Sequence, residues 1–130
     1  MKIAFDFHGT IESYSELFKP IMETFIFAGN GVYIVSGPTY KEIVKGLDRC
    51  GYEKFVHYHG IFSVVDYLKQ NKCKMHKDEK GTWWAEDEEW WKSKAEICKE
   101  HTIDVMIDDS ERYAKYFEES PTKFVLFGKK

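Results

Sequence analysis

The stretch Lys2-Ile3-Ala4-Phe5-Asp6-Phe7-His8-Gly9-Thr10 decides how this chain folds. Ile3 to Phe5 is a short, uncharged apolar run, the pattern of a strand buried on both faces. It ends abruptly at an acid. A carboxylate buried without a partner is costly, so its position calls for a reason. It serves either as a turn or helix-cap residue, or as part of a site at the carboxyl end of the strand.

The segments that follow alternate in type. Ser15 to Ala28 places Leu17, Ile21, Met22, Phe25 and Ile26 at helical spacing, with Gly29 and Gly31 just beyond. Val32 to Val35 reads as a second buried strand. Pro38 is placed to open a helix whose apolar face is Ile43, Val44 and Leu47, before Gly51. Phe55 to Tyr58 is expected as a third strand and Phe62 to Lys69 as a helix. Lys72 to Asp87 reads as a small hairpin insertion turning at Lys77-Asp78-Glu79-Lys80-Gly81. Glu88 to His101 is expected as a helix, Ile103 to Ile107 as a fourth strand, Glu111 to Glu118 as a helix and Phe124 to Phe127 as a fifth strand.

Such alternation builds parallel β-α-β units, and therefore a doubly wound α/β sheet with helices on both faces. The 130 residues suit a single domain over 1–130. In these sheets ligands sit outside the carboxyl ends of the strands. Polar residues follow three of the expected strands: Asp6 the first, Ser36 the second, Asp108 and Asp109 the fourth.

The motifs in this order resemble those of the haloacid dehalogenase-like (HAD) hydrolase superfamily. Phe5-Asp6-Phe7-His8-Gly9-Thr10 is similar to its first motif, an apolar strand followed by Asp-x-Asp-Gly-Thr. Val35-Ser36-Gly37 resembles the second, and Ile107-Asp108-Asp109-Ser110 the fourth; a lysine ahead of that strand is the third. Trp91 to Ser110 also resembles small members of the superfamily, including ones carried by phages. The resemblance implies a Rossmann-like, three-layer sheet of strand order 5-4-1-2-3 with no large cap. It implies a Mg2+-dependent phosphatase acting on a small phosphorylated substrate through an aspartyl-phosphate on Asp6.

The residue types suit that chemistry. A carboxylate that attacks phosphorus splits a hard hydrolysis into two steps. The phosphoryl group spreads negative charge over its oxygens, so the site must supply cations and donors. By resemblance, Asp6 and Asp109 bind Mg2+ through side chains and His8 through its backbone carbonyl, with Asp108 beside them. Ser36, Gly37 and nearby backbone N–H groups where a helix starts near Pro38 hold phosphate oxygens. The lysine is Lys92 or Lys94. Two residues apart on a helix, they do not share a face, and Lys94 matches the motif better in its local context.

His8 departs from the family pattern, which has an Asp there as general acid/base. Histidine exchanges protons near neutral pH, so the role survives in altered form or is lost. Two alternatives therefore stand beside the enzyme: a catalytically weakened binding or regulatory domain, and a nucleic-acid end-processing phosphatase. The lysines from Lys69 to Lys80 and the four tryptophans motivate the second, but a net charge of −3 lends it no support. The tryptophans are read first as cement between a loop and the core. His57 and His59 could share one side of a strand, but no further residues supply zinc-ligand spacing. Three widely spaced cysteines, no signal-like apolar segment and no membrane-length apolar run lead to the expectation of a reduced, cytoplasmic compartment without membrane partners.

Overall fold

The computed structural model describes residues 1–128. Five parallel strands form the central sheet: β1 (Lys2–Phe5), β2 (Gly31–Ser36), β3 (Gly60–Ser63), β6 (Val105–Asp108) and β7 (Lys123–Leu126). Their spatial order is β3-β2-β1-β6-β7. The chain moves outward from β1 through β2 to β3, then returns to the other side of β1 with β6. That reversal opens a crevice between the carboxyl ends of β1 and β6, where open α/β sheets place their ligands.

Side chains alternate across the sheet with the period of two that strands impose. Ile3 and Phe5 of β1, with Val32 and Ile34 of β2, pack on α1 (Ser15–Phe27) and α2 (Tyr40–Arg49) through Phe18, Met22, Ile43 and Leu47. Ala4, Val35 and Met106 face the other way, onto Val64, Val65 and Leu68 in α3 (Val64–Gln70) and its start, and Ile97 and Cys98 of α4 (Asp87–Glu100). The result is three layers, Rossmann-like in architecture, with a core on each face of the sheet.

Four local expectations are corrected. The third strand is Gly60–Ser63, not Phe55 to Tyr58. Phe55 has φ of 71°, a value incompatible with a strand, and the His57 ring accepts the Glu53 N–H at 2.9 Å, which closes a turn there. Phe62 therefore belongs to β3, and the helix after it starts at Val64, capped by Ser63, whose hydroxyl accepts from the Asp66 N–H at 3.0 Å. The second helix opens at Tyr40 with Thr39 as its cap, rather than at Pro38. Glu111–Phe117 winds as a 3-10 helix.

The hairpin insertion consists of β4 (His76–Lys77) and β5 (Trp83–Trp84), antiparallel and outside the main sheet. Asp78 organises its turn. One carboxylate oxygen accepts from the N–H groups of Lys80 and Thr82, and the other from the Trp84 indole, each at 2.9 Å. Those donors, the indole first, hold the Asp78 carboxyl below its ordinary range.

Gly46 lets α2 approach the loop that follows β1. A Cβ there would come within 2.6 Å of the buried Phe7 ring. Gly46→Ala is therefore expected to lose about 1 kcal/mol net, because overpacking of about 1–3 kcal/mol outweighs the helix propensity gained. A lowered urea midpoint with an unchanged slope is the expected readout; an unchanged or raised midpoint would refute this packing argument.

Candidate active site

β1 runs buried to Phe5 and then hands Asp6 to the crevice. The Asp6 N–H still donates to the Ile107 carbonyl at 2.9 Å, so the first acid is pinned to the neighbouring strand. The chain then makes a wide loop, Phe7–Ile11, in which the Glu12 N–H donates back to the Phe7 carbonyl at 2.9 Å. Gly9 sits at the turn with φ of 76°, and a Cβ would fall inside the Asp109 carboxylate, 2.6 Å from its Cγ. Glycine is thus required twice over, for its backbone conformation and for the close approach of Asp109. The Tyr52 hydroxyl donates to the Ile11 carbonyl at 2.6 Å and anchors the far end of the loop.

β6 supplies the facing acids. Asp6, Asp108 and Asp109 bring carboxylate oxygens within 4.8 Å of one another. Lys94 reaches the same point from α4. Its ammonium donates to Asp6 Oδ1 at 2.9 Å and to Asp108 Oδ2 at 2.6 Å, and it is almost wholly buried. The Lys92 ammonium turns away and pairs with Glu89 at 3.1 Å, partly exposed. The other oxygen of Asp108 accepts the Ser110 N–H at 3.0 Å. Asp108 is thus engaged at both oxygens, whereas among the described residues Asp109 has only a long contact from the Thr10 hydroxyl, 3.4 Å.

Two acids and one base in a dry site leave an excess negative charge. Burial pushes the Asp6 carboxyl up to about 7; Lys94 opposes the shift and Asp108 adds to it. Burial also works against the charge on Lys94, but the carboxylates of Asp6 and Asp108 oppose it, and the ammonium pKa is raised above that of a free lysine. Burial pushes the Tyr113 phenol up to about 12, so its ring lies neutral 4.2 Å from the Lys94 Nζ.

Ser36, at the end of β2, completes the floor. Its Oγ is buried and makes no hydrogen bond of ordinary geometry among the described residues. The hydroxyl faces the Asp6 carboxyl and favours its charged form, but no well-formed hydrogen bond holds it there. Gly37 follows it and lines the same cavity. The expected backbone donors at the start of the helix are partly spoken for: the Tyr40 N–H donates to Asp66 at 3.0 Å and the Glu42 N–H to Thr39 at 3.3 Å.

His8 lies at the rim, its side chain more than half exposed, with Nδ1 donating to Glu12 at 2.9 Å. His57 and His59 stand apart from the cavity. The His57 Nε2 donates to Glu23 at 2.9 Å, and the His59 Nδ1 accepts the Val32 N–H at 3.0 Å; both brace loops.

No protein-family model and no curated protein matches the chain. The site must therefore be judged on its own chemistry. A hard cation such as Mg2+ takes oxygen ligands, and the donor set here is three carboxylates, one of them free of any close partner. Lys94 engages one oxygen each of Asp6 and Asp108, and the excess negative charge of the three acids is what a cation would offset. The residues present fit the cation.

Two contributors were not evident from the motifs. Tyr113 roofs Lys94 from the 3-10 helix, and its position five residues after Asp108 is the only sequence cue. All four tryptophans line the cavity above Asp6, which has a volume of about 430 Å³. The dense Trp83-Trp84 and Trp90-Trp91 pairs are visible in the sequence, but such pairs read equally well as cement between a loop and the core.

Among the described residues, no helix is long and apolar enough to cross a membrane.

Proposed function

We propose that this chain is a magnesium-dependent phosphomonoesterase of the haloacid dehalogenase-like superfamily, working in the cytoplasm, with Asp6 as its nucleophile. One observation carries the reading: a buried lysine clamps the acid after β1 to the acid ending β6, while a buried serine hydroxyl that no well-formed hydrogen bond ties down faces the first of them from the strand next door. A structural ion pair would not need the third acid, the glycine that admits it or that hydroxyl.

Asp6, Asp109 and the His8 carbonyl would hold Mg2+, with Asp108 beside them; when bound, the cation offsets charge on the phosphoryl oxygens and on the carboxylates. Lys94 holds one oxygen of Asp6 and leaves the other to attack. That oxygen forms a bond to phosphorus, the ester oxygen departs, and His8 gives it a proton. Water then attacks the aspartyl-phosphate, His8 takes its proton, and inorganic phosphate leaves with Asp6 restored. Ser36 Oγ and Gly37 receive the phosphoryl oxygens. Glu12 engages the His8 Nδ1, so Nε2 is the nitrogen that exchanges protons.

The test is phosphate release from an aryl phosphate with Mg2+, across pH, with Asp6→Asn as the blank. Release equal to the blank would sink the enzyme reading. His8→Ala is expected to slow turnover about 10²–10⁴-fold, the worth of a positioned acid/base. Wild type and His8→Ala with equal rates and equal pH profiles would remove His8 from the mechanism.

The exposure of His8 favours a second reading, a binding or regulatory domain that keeps the fold and the cation but turns over slowly. A single stoichiometric burst of leaving group, with phosphate retained on Asp6, would distinguish it.

A further inference from the structure

We propose that the alcohol half of the substrate carries a nucleobase, so that the cavity above Asp6 takes a nucleoside monophosphate. The inference rests on the phosphomonoesterase reading and names its substrate class.

The chain spends all four of its tryptophans on this one cavity. Trp90 has a structural role. It is buried, and it seats against Gly37, where a Cβ would stand 3.2 Å from its ring. The other three are only partly buried. All three pack against the core, yet each keeps part of its surface exposed and lines the cavity above a polar floor.

They are also held in place before any ligand arrives. Trp84 packs on Trp90 at 4.9 Å between centroids and donates its indole N–H to Asp78. Trp83 lies 3.9 Å from the Lys69 ammonium and 4.9 Å from that of Lys77. Trp91 is flanked by Arg112 at 4.4 Å and Tyr113 at 4.7 Å. Rigid aromatic walls with few rotamers to freeze bind flat rings at little entropic cost.

The polar features fit the same ligand. Thr82 and the exposed carboxylate of Glu42 also line the cavity, and they suit the hydroxyl and amine donors of a nucleoside. The volume of about 430 Å³ falls in the range of small-molecule sites. A bare sugar phosphate would leave uncovered the parts of the indoles that line the cavity. An aryl phosphate would keep its ring beside the charged floor and leave the hairpin uncovered. A nucleic-acid strand meets the acidic run Glu86 to Glu89 and a chain of net charge −3, the wrong field for a polyanion.

Adenosine 5′-monophosphate and ribose 5-phosphate share the same leaving oxygen and differ by the base, so their comparison isolates the ring. With Mg2+, kcat/KM for the nucleotide is expected to exceed that for the sugar phosphate by about tenfold or more, the size of one base–indole stack. Trp83→Ala and Trp84→Ala should bring that ratio towards one, and Trp83→Phe and Trp84→Phe should keep most of it. Equal kcat/KM in the wild type would overturn the inference. Phosphotyrosine or a 5′-phosphorylated oligonucleotide preferred to the mononucleotide would overturn it too. If neither of the paired substrates turns over, the phosphomonoesterase reading fails, and the nucleobase is judged by titration calorimetry alone. Binding of the nucleotide about tenfold tighter than the sugar phosphate supports it; equal or no binding overturns it.

Discussion

Asp6→Asn is expected to abolish phosphate release while making the metal-free protein more stable at pH 8. An amide cannot attack phosphorus, and loss of a nucleophile costs on the order of 10⁴-fold or more. The stability gain follows from the raised pKa. The Asp6 carboxyl titrates near 7 in the folded chain, against about 4 when unfolded. Below pH 4 both states hold the proton, and Asp6 contributes no pH dependence. Between about 4 and 7 the folded state keeps a proton that the unfolded state has released, so stability falls as pH rises. Above 7 the loss is complete. The amide carries no such charge, and on the order of 2–4 kcal/mol should be recovered at pH 8 and little at pH 4. Urea unfolding of both proteins at the two pH values, without metal, gives the comparison. A variant no more stable than wild type at pH 8 would mean that Asp6 is already well paired. Function and stability then pull in opposite directions at one atom group, as strained active sites commonly do.

Lys94→Met is expected to destabilise the fold by about 3–5 kcal/mol, the usual result of stripping one partner from a buried ion pair. Methionine keeps most of the stem and removes the ammonium, so Asp6 and Asp108 are left facing each other in a dry site. The loss should shrink at pH 5, where Asp6 takes up a proton, and in the double variant Lys94→Met/Asp108→Asn. Lys92→Met provides the control: its ammonium meets only Glu89 near the surface, and the change should stay within about 0.5 kcal/mol. Equal losses from the two lysines would remove Lys94 from the centre of the site.

The contrast between these lysines also shows what a sequence carries. Helical spacing separates the faces of Lys92 and Lys94 but does not say which face meets the sheet; packing of Ile97 and Cys98 against Ala4 and Met106 decides that. The ends of β1, β2 and β6 were legible because each is a continuous apolar run that stops at a polar residue, the mark of a strand buried on both sides. The third strand is masked in the sequence for a physical reason. It is an edge strand, partly exposed, and its Gly60-Ile61-Phe62 run is weaker than the aromatic Phe55-Val56-His57-Tyr58 run just before it, which is rich in strand-forming residues. The left-handed backbone at Phe55 leaves no trace in composition. Ser63 and Asp66, a cap and its third following residue, were the overlooked signal for the start of α3. Tyr113 and the tryptophan wall were not legible as site residues, because an aromatic side chain reads alike whether it faces a core or a ligand.

Helix α4 carries Trp90 and Lys94, four residues apart on one face, so about 6 Å of helix rise separates the backbone that holds the ring at the wall from the backbone that holds the ammonium at the floor. A single inserted residue between them would rotate one against the other by about 100° and take them out of the same cavity. The hairpin is tied to the core by side-chain packing alone. It shares no strand pairing with the five-stranded sheet, and its length and side chains can change without breaking a ladder bond there. Heredity can therefore treat the two ends of this cavity separately: the spacing within α4 must be passed on intact, while the rim over it is free to drift towards new ligands.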